Sequence, residues 1–360
     1  MRILTLGLVA GLAGLGSPAD AAQAQPVTTC EAEGPARPVC TFTNPEDLVA
    51  LPGDEAILVS EYGGMEGHIP GALALLVLET DERRELFRGG GDDVSATPGW
   101  GDPACPGPLT DAFSPHGIHL SARADGALQL LVVQHGGRES VEYFEVTGSG
   151  RDWAVEWRGC VVAPDDAWLN SVAALPGGGF VTTRMIERPA VMTDLATAIA
   201  AAEPGGYVLE WLPDRGFAIL GGSESEMPNG IETSSDGRLV FATGSGEVRR
   251  IVRATGEVEA RVQLGALDNL RWASDGRLAV ANFTSDALED FSLCVQLESG
   301  ACPMPFRIVS IDAESMETEE LYSNEGPPMG AGTVGLVIGD ELFIGSFAGD
   351  RILRVTLERE

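Results

Sequence analysis

The sequence predicts an all-β fold, a six-bladed β-propeller with short helical and loop insertions. The main observation is a unit that recurs six times, at intervals of roughly 40 to 70 residues. Each copy contains a polar pair, a short apolar strand, a glycine turn and a second apolar strand. The copies begin at Glu46-Asp47-Leu48, His116-Gly117-Ile118, Asn170-Ser171-Val172, Asn229-Gly230-Ile231, Asp268-Asn269-Leu270 and Gly332-Thr333-Val334. Because equivalent points of all blades lie on one ring around the channel of a propeller, we expect these heads to meet at one mouth.

Turns and strands within the repeats support this fold. Asp125-Gly126, Asp236-Gly237 and Asp275-Gly276 are two-residue hairpin signals, and Gly177–Gly179 and Gly339-Asp340 serve the same purpose. The flanking strands are short and apolar, as expected of sheets covered on both faces. The segments 246–264, 306–323 and 350–360 alternate more strongly and are predicted as outer strands.

Three insertions interrupt the repeats. Residues 88–108 are rich in glycine and proline and are predicted as a loop. Residues 193–206 predict a helix, with Thr193 as its N-cap and Gly205 as its stop signal. Residues 287–303 form an excursion of the fifth repeat that contains two cysteines. Insertions on a rigid scaffold often determine specificity.

The first 24 residues are predicted to be a signal peptide. Arg2 precedes an apolar run at residues 3–16, and Ala22-Gln23-Ala24 forms a cleavage site. An uncleaved anchor is the alternative, although the run is short for a membrane span and no other long apolar stretch follows. We therefore expect a periplasmic or secreted protein whose residues 25–360 form one propeller domain.

The six cysteines fit an exported chain stabilised by disulfides. Several pairings are open in principle, but proximity favours Cys30–Cys40 and Cys294–Cys302, which leaves Cys105–Cys160. The absence of a C-x-x-C spacing argues against zinc or redox chemistry.

The net charge of −31 and the isoelectric point near 4.3 argue against nucleic acid and anionic membranes as partners. Acidic groups in a ring can nevertheless attract a cation.

The polar heads of the repeats predict a metal site. A single asparagine at such a position is usually a turn former or a strand cap, but three heads carry one, at Asn170, Asn229 and Asn269. Glu46 and Asp268 add carboxylates. A ring of oxygen ligands without thiolates suits calcium, and neutral amide ligands leave the ion an effective Lewis acid.

The motifs together resemble a known family. PEDL, SPHGI, VVQH, WLNSV, PNGIETSSDGRLVF, LDNL and VGLVIGDELFIGSF follow one another along the mature chain. In this order they resemble the calcium-dependent six-bladed propeller lactonases, most closely the paraoxonase and arylesterase branch and more distantly the gluconolactonases. The resemblance implies a hydrolase that opens lactones or cleaves simple aryl esters.

The resemblance also implies roles for single residues. The matches to the ligands of the family's catalytic calcium are Glu46, Asn170, Asn229, Asp268 and Asn269. His116 matches the imidazole that deprotonates the attacking water, and His135 matches the second histidine behind it. The alternative is that both are structural, hydrogen-bonded histidines. We expect His119 to face the other side of its sheet, and His68 with Tyr62 to be candidates for substrate contact.

Three positions depart from the family. Its second, structural calcium would use Asp47, the carbonyl of Ile118 and an aspartate, but Ser171 stands at the third position. The sequence therefore predicts one catalytic calcium and weakens the case for a second. Phe283 stands near the place of a paraoxonase histidine, which argues against organophosphate hydrolysis. The C-terminal segment has no cysteine, so the ring is predicted to close by strand pairing alone.

Two other functions compete with the hydrolase. A non-catalytic propeller could bind a ligand or serve as a scaffold, since a fold does not establish a function. A quinone-dependent sugar dehydrogenase would need basic residues at the mouth for its anionic cofactor, whereas the heads offer carboxylates and amides.

Overall fold

The structure is a computed structural model that describes residues 25–64, 69–90, 94–109, 112–188, 205–284, 288–295, 297 and 299–358. The predicted signal peptide, most of the predicted helix at 193–206 and His68 lie outside these residues.

The fold is a six-bladed β-propeller, which confirms the predicted class. Its first strand, β1 (Ala36–Val39), belongs to the last blade. Blade 1 contains β2 (Pro45–Ala50), β3 (Ala56–Glu61), β4 (Ala72–Val77) and β5 (Glu82–Phe87). Blade 2 contains β6 (Pro115–Ala122), β7 (Leu128–Gln134), β8 (Ser140–Ser149) and β9 (Asp152–Val162). Blade 3 contains β10 (Ala167–Ala174), β11 (Phe180–Glu187), β12 (Tyr207–Leu212) and β13 (Gly216–Ile219).

The second half repeats the plan. Blade 4 contains β14 (Ile231–Thr233), β15 (Leu239–Gly244), β16 (Glu247–Val252) and β17 (Glu257–Gln263). Blade 5 contains β18 (Leu267–Trp272), β19 (Leu278–Phe283), β20 (Phe306–Ile311) and β21 (Thr318–Asn324). Blade 6 contains β22 (Gly332–Ile338), β23 (Glu341–Ser346) and β24 (Ile352–Thr356), and it is completed by β1. All pairings within the blades are antiparallel.

Strand pairing closes the ring, as predicted. Ala36 pairs with Val355 and Val39 with Ile352, so β24 lies inside its blade and is not an edge strand. The buried guanidinium of Arg351 donates to the carbonyl oxygens of Val27, Thr29 and Pro328. These bonds fasten the segment before β1 to the last blade.

The hydrophobic core lies between neighbouring blades. One cluster joins Leu58 and Leu75 of blade 1 to Leu130 and Phe144 of blade 2, and comparable clusters fill the other gaps between blades. Burying an aliphatic side chain contributes roughly 1.5–3 kcal/mol, so this repeated packing holds the blades rigidly around the channel. The inner strands are thus fixed supports for whatever lies at their ends.

The insertions are only partly as expected. All three predicted disulfides are present, Cys30–Cys40, Cys105–Cys160 and Cys294–Cys302. The described residues between 88 and 108 form neither helix nor strand, and the excursion of blade 5 contains helix α1 (Leu288–Val295). Within the part of the chain that the structure describes, no helix has the length and apolar character needed to cross a membrane.

Candidate functional site

The heads of the inner strands depart from regular sheet geometry. The register between the inner strand and its neighbour shifts at Pro45/Asp47, Pro115/Ile118, Leu169/Val172, Leu267/Leu270 and Gly332/Val334. In blade 4 the inner strand begins only at Ile231, directly after Asn229 and Gly230. Such irregularities redirect side chains and are common beside active sites. They occur where the sequence places its polar heads.

Two glycines let adjacent heads approach each other. A β-carbon on Gly117 would lie 2.5 Å from the backbone oxygen of Asn170, and one on Gly230 would lie 2.6 Å from that of Asp268. No larger residue fits at these positions without moving the neighbouring blade. The glycines after His116 and Asn229 therefore bring the heads of neighbouring blades close together.

Five buried carboxylate and amide oxygen atoms at these heads have no hydrogen-bond partner. They are Oε2 of Glu46, Oδ1 of Asn170, Oδ1 of Asn229, Oδ1 of Asp268 and Oδ1 of Asn269. An unsatisfied buried polar group costs about 1–3 kcal/mol. All five belong to the predicted calcium ligands, and a bound cation would supply the missing partner. We refer to these five residues as the oxygen ring.

The amide nitrogens of the ring explain why its oxygens remain unbonded. Nδ2 of Asn269 donates to Oε1 of Glu46 at 2.7 Å, and Nδ2 of Asn170 contacts Sδ of Met185 at 3.5 Å. The Asn229 side chain lies beside Asp268 and lowers the pKa of that carboxyl. With the side-chain nitrogens of Asn170 and Asn269 engaged, the amide oxygens of these two residues stay available as ligands.

The electrostatics of the ring also suit a cation. Burial raises the pKa of Asp268 well above its usual range, and the nearby carboxylates of Glu46 and Asp47 raise it further. Ionised carboxylates that are buried close together repel each other, and a positive charge between them stabilises the ionised forms. A cation that binds here would displace a proton, because its ligands must be ionised.

The donor set itself favours a hard cation. Among the described residues, no group of three or more His, Cys, Asp and Glu side chains is arranged to hold a metal. A cation at this mouth would therefore depend on the asparagine amides as well as on Glu46 and Asp268. Carboxylate and amide oxygens are the ligands that calcium takes, so the residues present fit the predicted ion.

A chain of hydrogen bonds begins beside the ring. Nε2 of His116 lies 3.4 Å from Oε1 of Glu46, and its Nδ1 lies 2.7 Å from Nε2 of His135. Nδ1 of His135 lies 2.9 Å from a carboxylate oxygen of Glu139. An ionised Glu139 accepts the Nδ1 proton of His135, and Nε2 of His135 then accepts the Nδ1 proton of His116. This arrangement leaves the Nε2 lone pair of His116 facing the ring.

Glu139 is a functional candidate that the sequence interpretation missed. Its carboxylate accepts hydrogen bonds from the Leu169 N–H at 2.7 Å and from Arg188 at 2.9 Å. Burial raises its pKa well above the usual range, against the lowering effects of Leu169 and Arg188. The available signal was a glutamate four residues after His135, directly before β8.

Aromatic rings fix the two imidazoles. Trp168 stacks on His135, with ring centroids 4.2 Å apart and planes 3° from parallel, and Tyr62 stacks on His116 at 4.5 Å. Burial lowers the pKa of His135 well below its usual range, and the charges of His116 and Arg188 add to this effect. His135 is therefore built to pass a proton on and not to hold a second one. Tyr62 is buried against the histidines.

His119 belongs to a different environment. Its Nδ1 accepts a hydrogen bond from the Ala174 N–H, and its Nε2 lies 3.6 Å from Oε2 of Glu232. Both side chains line a cavity of about 910 Å³ that also touches Ala122, Ala174, Thr233 and Trp272, the last residues of four inner strands. The cavity therefore lies at the opposite end of the strands from the oxygen ring.

Phe283, at the end of β19, contacts Phe347 near α1.

The second predicted metal position does not fit a metal ion. Both of its ligands, Asp47 and the carbonyl of Ile118, accept hydrogen bonds from the guanidinium of Arg271. Burial raises the pKa of Asp47 to about 7, against the lowering effect of Arg271. In this structure Asp47 and Ile118 are partners of Arg271, which the sequence interpretation overlooked.

Comparisons with known proteins find a similar fold in a solved structure but no similar sequence. No protein-family model matches the chain, and no curated protein sequence matches it. A gluconolactonase from Xanthomonas campestris is similar in structure, with a TM-score of 0.51 and 12% identity over 96% of this chain and 99% of that one. The chain shares its fold with this gluconolactonase.

Two further structures are less similar. One, provisionally assigned as a gluconolactonase, has a TM-score of 0.49 and 14% identity over 90% of this chain and 92% of that one. The other is a periplasmic gluconolactonase from Pseudomonas aeruginosa, with a TM-score of 0.46 and 14% identity over 88% and 89% of the two chains.

Proposed function

We propose that this protein is an exported, calcium-dependent hydrolase that opens lactones or cleaves simple aryl esters. The observation that carries the proposal is the oxygen ring with its five unpaired oxygens. Beside the ring lies the series of hydrogen-bonded side chains that runs from His116 through His135 to Glu139. The fold shared with a gluconolactonase agrees with a lactone substrate. The three disulfides agree with export after removal of residues 1–24.

The ring would hold the metal through Glu46, Asp268 and the amides of Asn170, Asn229 and Asn269. A calcium ion bound there supplies a Lewis acid that polarises the substrate carbonyl and stabilises negative charge on its oxygen. The buried setting of these residues keeps bulk water from weakening that interaction.

His116 acts as the general base. Its Nε2 takes a proton from water, whose oxygen then forms a bond to the carbonyl carbon. The Nδ1 proton of His116 moves to His135, and the Nδ1 proton of His135 moves to Glu139. A carboxylate whose pKa is raised by burial is a suitable end point for this proton. When the ester bond breaks, the chain returns a proton to the leaving alkoxide oxygen.

A substitution at Glu139 tests this proton transfer from His116 through His135. In Glu139→Gln a neutral amide replaces the carboxylate that accepts the Nδ1 proton of His135, so the proton transfers lose their end point. We expect a loss of about 10²-fold in kcat, since general-base catalysis by His116 depends on that acceptor. Calcium affinity should not change, and Glu139→Asp should recover part of the rate.

The control for this variant is Glu142→Gln. Glu142 is also buried and bonded to an arginine and to Trp157, but it does not touch the histidines. It should alter thermal stability and leave the pH profile of kcat intact. A Glu139→Gln enzyme with the wild-type pH profile would exclude the proposed chain.

A panel of substrates tests the proposed activity itself. The purified protein is assayed with aldonolactones, aliphatic γ- and δ-lactones and phenyl acetate by a pH indicator, with and without a calcium chelator. We expect turnover that the chelator abolishes. Turnover that survives exhaustive chelation would contradict calcium dependence, and no turnover on any substrate would favour a binding scaffold. A bound chromophore in the visible spectrum would favour the quinone-dependent dehydrogenase.

A further inference from the structure

Arg271 lies in the channel, two residues after Asn269 on β18. A guanidinium has five N–H donors, and each of those in Arg271 has an acceptor. Nε donates to Leu48 O at 3.2 Å, Nη1 donates to Glu232 Oε1 at 3.1 Å and Leu270 O at 2.9 Å, and Nη2 donates to Ile118 O at 2.6 Å and to Asp47. The group is buried and fully satisfied.

Its acceptors come from four blades. Asp47 and Leu48 belong to blade 1, Ile118 to blade 2, Glu232 to blade 4 and Leu270 to blade 5. Two carboxylate and three carbonyl oxygens surround the guanidinium, and these are ligand types that a hard cation takes. We propose that the guanidinium of Arg271 permanently occupies a cation position in the channel, so that the chain binds one divalent cation where two could fit.

The charge of the neighbouring residues agrees with this occupant. The guanidinium carries one positive charge and bonds to two buried carboxylates, Asp47 and Glu232. Ser171, where the resemblance expects the third ligand and second carboxylate of a calcium site, has a buried hydroxyl oxygen with no hydrogen-bond partner. The chain therefore has a serine where a calcium ligand is expected, and an arginine bonded to the other two expected ligands, Asp47 and the carbonyl of Ile118.

Arg271 also joins the two ends of the channel. It bonds Asp47, which is adjacent to Glu46 of the ring, and Glu232, which lines the cavity at the opposite end. A cation that is part of the chain cannot dissociate or be chelated. The packing of four blades at this level then does not depend on an external ion.

Removal of the guanidinium should convert the position into a metal site. In Arg271→Ala, Asp47 and Glu232 lose their buried partner, and we expect the Tm in chelator to fall by on the order of 5–10 °C. Added calcium should restore most of this loss. Metal analysis after equilibration with calcium should give one ion per wild-type chain and two per Arg271→Ala chain. The double variant Asp47→Asn/Arg271→Ala should bind one ion.

Arg351→Ala is the matched control. Arg351 is also buried, but it donates to carbonyl oxygens at the point where the last blade closes the propeller. The carboxylate bonded to it is that of Asp350. Its loss should lower the Tm without giving a second calcium. If Arg271→Ala cannot be obtained folded, the wild-type stoichiometry and the Arg271→Lys variant, which should bind one ion, decide the question.

Two results would overturn the inference: two calcium ions per wild-type chain, or an Arg271→Ala variant whose calcium response equals that of the wild type. The inference does not depend on the proposed hydrolase. A wild type that binds no calcium, together with an Arg271→Ala variant that gains one ion, would contradict the proposed function and support the role of Arg271.

Discussion

Asp268→Asn should abolish the calcium response while making the calcium-free protein more stable. The folded pKa of Asp268 is raised above its unfolded value. Its ionisation therefore opposes folding. The stability of the calcium-free protein falls as the pH rises from the unfolded-state pKa of Asp268 to its folded-state pKa. A neutral isostere removes this penalty, so the Tm in chelator at pH 8 should rise.

The same substitution removes one of the two carboxylates of the ring. The wild type should gain about 2.7 kcal/mol of stability at a calcium concentration one hundred times the Kd, by mass action. Asp268→Asn should show little of this gain and should lose turnover at limiting calcium, as should Asn269→Ala. The measurements are thermal unfolding with and without calcium, and lactone hydrolysis across a calcium titration.

Glu61→Gln is the control for this pair of effects. Glu61 is buried on blade 1 but is bonded to its own cation, Arg83. Its substitution should lower stability in chelator and preserve both the calcium response and the activity. If Asp268→Asn bound calcium as tightly as the wild type, Asp268 would not be a ligand.

His116→Gln should reduce the rate by on the order of 10²-fold or more, which is the usual contribution of general-base catalysis. Calcium affinity should remain nearly intact, because imidazole is a poor ligand for a hard cation. The residual rate should lose its dependence on pH near neutrality. Steady-state kinetics from pH 5 to 9 at saturating calcium provide the measurement.

His119→Gln is the matched control, because His119 lies on the same strand and lines the cavity at the far end. It should retain near-normal turnover. Near-normal turnover in His116→Gln would instead mean that water is activated by the metal or by a ring carboxylate such as Glu46. That result would leave the proposed calcium site standing and would exclude His116 and His135 as the route of the proton.

The sequence predicts the blades well because their information is local. Alternating apolar residues and turns such as Asp236-Gly237 specify each hairpin within a few positions, and the heads of the strands follow from the repeat. The ring of oxygens was predicted because an asparagine recurs in register at Asn170, Asn229 and Asn269. Symmetry of the fold converts such a recurrence into proximity in space.

The missed residues have partners that no local pattern reveals. Arg271 and Asp47 are 224 positions apart, and an arginine within a strand is typical of a solvent-facing site. Its burial follows from its position on an inner strand, where its guanidinium meets Leu48, Ile118 and Glu232 from three other blades. Glu139 also escaped notice, because a charged residue just before β8 is common and its contact with His135 depends on the folded loop.

The central claim is tested most directly by titrating calcium into metal-free protein while following lactone hydrolysis and bound calcium in the same samples. The proposed function predicts that activity rises from the background rate in proportion to one calcium ion per chain and saturates when that ion is bound. Activity that is already full in the metal-free protein, or that stays at background when the ion is bound, would contradict it.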